Sequence, residues 1–128
     1  MNTHGTVDCH AHPVDDVFRR EMGILGLDPM AEDGFPLPDW SVSTHQQFME
    51  EAGIDYTVLT VPTPHIHNGD DEKSCASARR INESTAKLCA EYPEKFCFVA
   101  ASLRRRRDKR NGLCHGHARR SRRQGGDE

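Results

Sequence analysis

The sequence predicts a soluble α/β protein with a small parallel β-sheet. Three short segments rich in β-branched and apolar residues are separated by stretches with helical periodicity, and this alternation is typical of βαβ units. The strand-like segments are also almost continuously apolar, which favours burial of the sheet on both faces. With 128 residues, 35% of them hydrophobic, the chain can form one domain of ordinary size.

The first strand is predicted over residues 6–12, and Pro13 ends it. Residues 20–40 are predicted to form a loop, because glycine and proline interrupt them repeatedly. Trp40, at the end of this region, is expected to be a packing residue. The interrupting residues are Gly23, Gly26, Pro29, Gly34, Pro36 and Pro38.

The first predicted helix begins near Ser43, which with Gln46 has the spacing of a capping box, and Gly53 ends it. The second strand follows over residues 56–61 and is closed by two prolines. Phe48, on the apolar side of the helix, is expected to be a packing residue. The full apolar stripe consists of His45, Phe48, Met49 and Ala52.

A longer helix is predicted to begin at residues 70–72, because their carboxylates suit the positive end of a helix dipole. Pro93 ends it, and the third strand is predicted over residues 96–101. The order along the chain is therefore strand, helix, strand, helix, strand. The stripe of the longer helix consists of Cys75, Ala78, Ile81, Thr85, Leu88, Cys89 and Tyr92.

Two histidines one residue apart stand at the end of the first predicted strand, in the stretch TVDCHAHPVDD. Alternate residues of a strand share a face, so Asp8, His10 and His12 are predicted to point the same way, with Cys9 a buried thiol on the other face. Two imidazoles on one face can bind a single divalent ion. Asp8 is expected to accept a hydrogen bond that fixes a histidine tautomer. In parallel α/β folds, chemistry gathers at the carboxyl ends of the strands.

The motif DCHAHP, together with the stretches PDWSVSTHQQFMEEAGIDYTVLTVPTPHIHNGDD and EYPEKFCFVAASL, resembles the amidohydrolase superfamily. The resemblance is to its amidohydrolase-related branch, which includes aminocarboxymuconate-semialdehyde decarboxylase and 6-methylsalicylate decarboxylase-like enzymes. It implies that residues 6–103 are the first three βα units of a truncated (β/α)8 TIM-type barrel. It also implies decarboxylation or hydrolysis of small, often aromatic, carboxylated substrates. His10 and His12 match the first two metal ligands, and zinc is the metal implied.

Two other groups are candidates for binding the small-molecule substrate. His65 and His67 repeat the H-x-H spacing on a loop after the second strand, where His65 is a candidate substrate contact. Arg19, with Arg20 beside it, is a candidate to bind a substrate carboxylate through two hydrogen bonds. The alternative for both arginines is a solvated surface position.

The charge of the chain changes sharply after residue 103. Residues 1–103 carry seven Lys and Arg against 17 Asp and Glu, a net charge of −10, whereas residues 104–128 carry ten against three, a net charge of +7. The second segment lacks hydrophobic periodicity and is predicted to be disordered. Its Cys114, His115 and His117 imitate a metal cluster but lack a fourth spaced partner. A shift of reading frame after residue 103 is one explanation, because a permissible set of codons read one nucleotide later encodes an amphipathic stretch without arginine.

Two hypotheses about function follow. The first is a truncated, by itself inactive, metal-dependent hydrolase or decarboxylase, whose exposed sheet edges lead to self-association. The alternative is a small non-enzymatic protein whose basic tail binds nucleic acid or an acidic partner, although the acidic residues 1–103 would repel a polyanion. No apolar run approaches the roughly 18 residues of a membrane span, and no signal pattern stands at the N-terminus, so a cytoplasmic location is expected. Five scattered cysteines fit reduced thiols there.

Overall fold

The fold was determined as a computed structural model, which describes residues 5–62 and 64–103. Three parallel strands form one sheet in the order β1-β2-β3. The α/β class and the parallel sheet are therefore confirmed, whereas the predictions for residues 104–128 lie outside the described residues. The elements are β1 (Val7–Ala11), α1 (Asp16–Leu25), α2 (Pro29–Asp33), α3 (Val42–Ala52), β2 (Tyr56–Leu59), α4 (Asp71–Glu91) and β3 (Phe96–Phe98).

Side-chain oxygens cap the N-termini of the three longer helices. Asp15 accepts a hydrogen bond from the backbone N–H of Phe18 at the start of α1, with an O–N distance of 2.8 Å. Asp70 caps α4 in the same way, as its position before the acidic first turn predicts. For α3 the cap is Ser41, two residues earlier than the predicted Ser43.

The prediction of a loop over residues 20–40 is wrong for its first part, because α1 continues to Leu25. Phe18, Met22 and Leu25 are spaced four and three residues apart and are buried. Their packing outweighs the weak helix propensity of Gly23, which lies on the exposed side of α1. Gly26 then ends α1 in a left-handed conformation, with a φ of 66°. A short helix, α2, also interrupts the predicted loop.

The described helices cover one face of the sheet. Ala11, Met49, Leu59 and Phe96 form a buried cluster in which α3 packs on the three strands. Along β2 buried and half-buried residues alternate, so the predicted burial of both faces is wrong for the described residues. We call the second face the open face. Two apolar side chains on it, Val7 and Val99, are 51% and 59% exposed.

A second cluster joins α1 to α4 beneath the loop that follows β2. The buried carboxylate of Glu21, in α1, binds two side chains of α4. It accepts hydrogen bonds from Arg80 Nε and Nη2 at 2.7 and 2.8 Å, and from Ser77 Oγ at 2.7 Å. These bonds, with those from Arg80 contributing most, lower the pKa of Glu21. The apolar members of the cluster are Val14, Phe18, Met22, Leu25, Ile66, Ala78 and Ile81.

The third strand is shorter than predicted, and a side chain of α4 directs the chain after it. Asn82 donates to the carbonyl of Ala101 at 3.0 Å and accepts from the N–H of Ala101 at 2.8 Å. The amide of Asn82 thus replaces a neighbouring strand for this residue. Among the helices that the structure describes, none has the length and apolar character needed to cross a bilayer.

Candidate metal centre

The pairing of β1 with β2 is irregular at the point where the two histidines lie. Asp8 is level with Thr57 and Ala11 with Leu59, so three steps along β1 correspond to two along β2. Thr57 and Leu59 share a face because they are two residues apart, and therefore Asp8 and Ala11 share that face as well. This is the face on which α3 packs.

His10 and His12 flank Ala11 and consequently lie on the open face. The prediction that Asp8 shares their face is wrong, because the extra residue of the bulge interrupts the alternation of side chains. The carboxylate of Asp8 instead accepts a hydrogen bond from the backbone N–H of His10, with an O–N distance of 2.9 Å. The structure thus gives Asp8 a backbone partner in place of the predicted imidazole.

The bulge also explains the exposure of Cys9. Cys9 was predicted to be a buried thiol, but it is exposed in the structure. It lies between Asp8 and His10, within the irregular step of the ladder, and β1 has only one neighbouring strand in the described sheet. The prediction is therefore wrong, because no described element covers this part of the strand.

The two imidazole rings meet edge to face. The Nε2 atoms of His10 and His12 are 3.1 Å apart, the ring centroids are 4.9 Å apart, and the ring planes make an angle of 80°. His10 is exposed and His12 is half-buried. Two ring nitrogens therefore converge at the carboxyl end of β1, on the open face of the sheet.

The ring of His12 is held by Thr60, the residue that follows β2. Its Nδ1 lies 3.0 Å from the carbonyl oxygen of Thr60 and 3.1 Å from the hydroxyl oxygen of the same residue. Because a carbonyl oxygen can only accept, Nδ1 of His12 carries the proton. The lone pair of His12 Nε2 then faces His10, where it accepts a hydrogen bond from Nε2–H of His10. A ring whose Nδ1–H is bound to a carbonyl is also the arrangement found in histidines that bind metals.

The donor set fits a divalent ion as two of its ligands. Imidazole nitrogens bind zinc at about 2.0–2.1 Å, so two such ligands on a tetrahedral ion lie about 3.3–3.4 Å apart. The Nε2 separation of 3.1 Å between His10 and His12 is that of a hydrogen bond, and it is a few tenths of an ångström shorter than this value. A small opening of the pair would admit the ion. Within the part of the chain that the structure describes, no group of three or more His, Cys, Asp or Glu side chains is arranged to hold a metal. The described residues therefore offer two candidate ligands, whereas a catalytic zinc site takes three from the protein.

The second H-x-H pair is arranged differently. Nε2 of His67 lies 3.0 Å from Asp71 Oδ1, and Nδ1 of His67 accepts a hydrogen bond from the backbone N–H of Gly69. Both ring nitrogens of His67 are thus engaged at the start of α4. His65, the candidate substrate contact, is exposed on the loop between β2 and α4.

The two arginines of α1 have partners within the chain. Arg19 Nη2 donates to the carbonyl oxygens of Leu37 and Pro38, and it lies 3.9 Å from a carboxylate oxygen of Asp39. Arg20 is exposed and lies 4.0 Å from Glu21. Arg19 therefore holds the segment before α3, whereas the exposed Arg20 has the solvated surface position that was the alternative for both arginines.

The two aromatic residues predicted to pack, Trp40 and Phe48, differ in their surroundings, and Trp40 also makes a polar contact that was not predicted. Trp40 Nε1 donates to Nδ1 of His45 at 3.1 Å, and burial lowers the pKa of His45 against the smaller opposing effect of the Asp8 charge. Trp40 packs as predicted. The prediction that Phe48 packs is wrong, because 53% of it is exposed on a side of α3 that no described element covers.

Thr60 is the site residue that the sequence reasoning missed. A signal was present, since Thr60 lies near the end of the strand predicted over residues 56–61, which should lie beside the strand carrying the histidines. Neighbouring parallel strands bring their carboxyl ends to the same edge. A polar residue at the end of the second strand was therefore a candidate neighbour of His12.

No family model matches the chain. Among curated proteins, the chain is similar to the 6-methylsalicylic acid decarboxylase of Penicillium expansum, with 30% identity over 97 residues, 74% of this chain and 29% of the relative. The 6-methylsalicylic acid decarboxylase of Aspergillus aculeatus is 28% identical over 96 residues, 74% of this chain and 28% of the relative. The chain thus spans less than a third of the length of these relatives.

Solved structures share the fold. The crystal structure of an amidohydrolase II has a TM-score of 0.65 and 25% identity, over 75% of this chain and 31% of that protein. A dihydroxybenzoic acid decarboxylase from Polaromonas sp. JS666, solved with manganese and the inhibitor 2-nitroresorcinol, has a TM-score of 0.57 and 20% identity, over 78% of this chain and 30% of that one. The resemblance to the amidohydrolase-related branch is therefore confirmed over part of the chain, whose curated relatives are 6-methylsalicylic acid decarboxylases and whose structural neighbours are amidohydrolase-superfamily enzymes.

Proposed function

We propose that residues 6–103 form the first part of a metal-dependent decarboxylase barrel, in which His10 and His12 are two of the metal ligands. The observation that carries the proposal is the convergence of the two Nε2 atoms, 3.1 Å apart, with His12 Nδ1 bound to Thr60. The two Nε2 atoms are close enough to bind one ion together. The carboxyl end of a first parallel strand is also where such barrels place their chemistry.

The proposed substrate is a small aromatic carboxylate of the hydroxybenzoate class. The curated relatives act on 6-methylsalicylic acid, in which a hydroxyl group neighbours the carboxylate. Decarboxylation of such a ring breaks the bond between the ring carbon and the carboxyl carbon, releases carbon dioxide and adds a proton to the ring carbon. The site therefore needs a positively charged group, such as a metal ion, that binds the phenolate or carboxylate oxygen of the substrate.

His10 and His12 would hold the ion, and Thr60 would keep the ring of His12 in place. A divalent ion bound there supplies Lewis-acid stabilisation of negative charge on a substrate oxygen. Zinc, the ion implied by the sequence resemblance, is the proposed metal, and manganese, which the Polaromonas enzyme holds, is the comparison ion. The open face leaves room for substrate beside the two rings, because the described helices pack on the other face.

Two ligands are insufficient for turnover, so we propose that the remaining ligands come from outside the described residues. We expect the 128-residue chain alone to bind zinc weakly and to release no carbon dioxide from hydroxybenzoates. Re-sequencing the gene across the codon of Leu103 tests the proposed change of frame. An intact frame encoding further βα units supports the proposal, and decarboxylation by the short chain alone would contradict it.

The test of the metal site compares the two H-x-H pairs in one background. Cys114→Ser, His115→Asn and His117→Asn remove the tail cluster, and zinc affinity is then measured by competition with a chromophoric chelator. His10→Ala and His12→Ala are each expected to weaken zinc binding more than about tenfold. A tenfold loss is already typical when only a residue that supports a ligand is removed, and these variants remove the proposed ligand itself. The matched controls His65→Ala and His67→Ala are expected to leave the affinity unchanged.

Two results would overturn the assignment. Equal losses in the two pairs of variants would show that zinc binds to exposed histidines without preference. A stoichiometric ion that survives gel filtration with chelator would contradict a two-ligand site, because the described residues offer no third ligand. The same titration with manganese tells which of the two ions the pair prefers.

A further inference from the structure

We infer that Thr60 is a positioning residue for the metal centre and that its hydroxyl group, not only its backbone, sets the orientation of His12. The inference rests on the proposed function, since it concerns one of the proposed ligands. Thr60 would not touch the ion or the substrate itself. It would act by holding the imidazole so that Nε2 faces Nε2 of His10.

Four contacts tie Thr60 to the end of β1. Its backbone N–H donates to the carbonyl of Ala11 at 2.8 Å, and its hydroxyl lies 3.4 Å from the same oxygen. Its carbonyl oxygen and its hydroxyl oxygen lie 3.0 and 3.1 Å from His12 Nδ1. One residue therefore binds both the backbone before the ligand and the ring of the ligand.

The hydroxyl has a defined orientation in this arrangement. Because it donates its hydrogen towards the carbonyl of Ala11, its lone pairs are left to accept the Nδ1 proton of His12. Two acceptors on the two sides of the Nδ1–H restrict rotation of the ring more than the carbonyl alone. A half-buried position keeps water from replacing the hydroxyl freely.

The place of Thr60 in the fold supports this role. The pairing of β1 with β2 ends at Ala11 and Leu59, so Thr60 and His12 are the first residues beyond the ladder. At this point the backbone of His12 is no longer fixed by strand pairing. The side chain of Thr60 supplies the constraint that the ladder supplies for the residues before it.

The experiment uses three substitutions at two threonines of the same region. Thr60→Val removes the hydroxyl and keeps the shape and the backbone carbonyl, and Thr60→Ser restores a hydroxyl. Thr57→Val is the matched control, because its hydroxyl is buried without a hydrogen-bond partner among the described residues. Circular dichroism checks that each variant folds. The tautomer of His12 is read from its ring ¹⁵N shifts in metal-free protein at about pH 8, where a histidine is neutral.

We expect Thr60→Val to lower the fraction of the Nδ1–H tautomer and to weaken zinc binding about tenfold, with Thr60→Ser restoring both. Thr57→Val should change neither. A Thr60→Val variant that keeps the tautomer and binds zinc within twofold of the parent would overturn the inference, as would equal losses in Thr57→Val. If the parent chain binds no zinc, the proposed function fails, and the tautomer measurement still decides the role of Thr60.

Discussion

The two faces of the sheet differ in what their residues do. On the covered face, Met49, Leu59 and Phe96 are almost fully buried. Helices α1 and α4 are joined by an ion pair, and side chains cap the N-termini of α1 and α3. On the open face, Val7 and Val99 are about half exposed, and the two proposed metal ligands lie on the same face. The described residues therefore obtain their stability from one face and present their candidate chemistry on the other.

The alternation of side chains along a strand makes this division possible within β1. Ala11 packs beneath α3 while its two neighbours in sequence lie on the open face. The packing of one face can therefore be altered without touching a ligand, and a ligand can be replaced without opening the core.

The largest effect is expected at the buried carboxylate between α1 and α4. Glu21→Gln removes the charge that accepts three hydrogen bonds from Arg80 and Ser77, and we expect a loss of about 2 kcal/mol in the free energy of unfolding. Urea unfolding at neutral pH measures it. Glu50→Gln, at an exposed position of α3, is the control and should change stability by less than about 0.5 kcal/mol.

The pH dependence of this contact has a defined sign. The hydrogen bonds from Arg80 lower the pKa of Glu21 in the folded state below its ordinary value of 4.5. The stabilisation is therefore present above about pH 4.5 and is lost as the pH falls through the lowered pKa. Glu21→Gln should flatten this part of the stability profile. A variant as steep as the parent below pH 4.5 would assign the acid sensitivity to other carboxylates.

A smaller effect is expected at His45, which faces Trp40 and lies near the Asp8 charge on the covered face. Burial lowers the pKa of His45 below its ordinary 6.5, so the unfolded chain takes up a proton first as the pH falls. Stability should decrease below about pH 6.5, by about 1 kcal/mol or less, the size of one hydrogen bond. Unfolding can be followed through Trp40, the single tryptophan.

His45→Gln sharpens this prediction. Glutamine can still accept the hydrogen bond from Trp40 Nε1, but it does not titrate, so the variant should lose the decrease between pH 7.5 and 5.5. The exposed His65, changed to glutamine, is the matched control and should leave the decrease intact. If both variants behave like the parent, the pH dependence in this range has another origin.

The smallest change in unfolding free energy is expected on the open face. Val7→Thr combined with Val99→Thr keeps β-branched side chains and should alter stability by less than about 0.5 kcal/mol. It should nevertheless reduce self-association, because the parent chain presents these apolar side chains beside strand edges with unpaired backbone groups. Sedimentation velocity measures the association.

Ile24→Thr is the control for this variant, since Ile24 is 54% exposed but lies on α1, away from the sheet edges. It should leave the association of the parent chain unchanged. A parent chain that sediments as a monomer at all concentrations would contradict the expected self-association through the strand edges. Equal effects of the two variants would assign the association to apolar exposure in general.

The sequence predicted the elements with strong periodicity and regular ends. Alternation of strands and helices indicated the parallel sheet, and the glycine at position 53 and the aspartate at position 70 marked helix ends correctly. The prediction failed at α1, because the frequency of glycine and proline was given more weight than the spacing of Phe18, Met22 and Leu25. The packing partner that stabilises α1 is α4, which lies more than 40 residues later in the sequence.

The candidate site was predictable in part. The histidine pair was found from its spacing, because a strand places alternate side chains together. The face on which Asp8 lies was not predictable in this way, since nothing in the sequence TVDCHAH indicates where the register of the two strands shifts. The role of the backbone carbonyl of Thr60 was also hidden, because every residue has a carbonyl and only the fold decides which one meets a ring nitrogen.

The parallel pairing of β1 with β2 has a consequence for how the chain folds. Val7 pairs with Tyr56, and the Arg80–Glu21 contact joins residues 59 positions apart, so the sheet and the helix pair both depend on contacts between distant segments. Closing such long loops loses entropy before any packing compensates for it. The chain should therefore reach its native state far more slowly than a helical bundle of equal length. During that delay α4 is the segment best able to form early, because its contacts are mostly local.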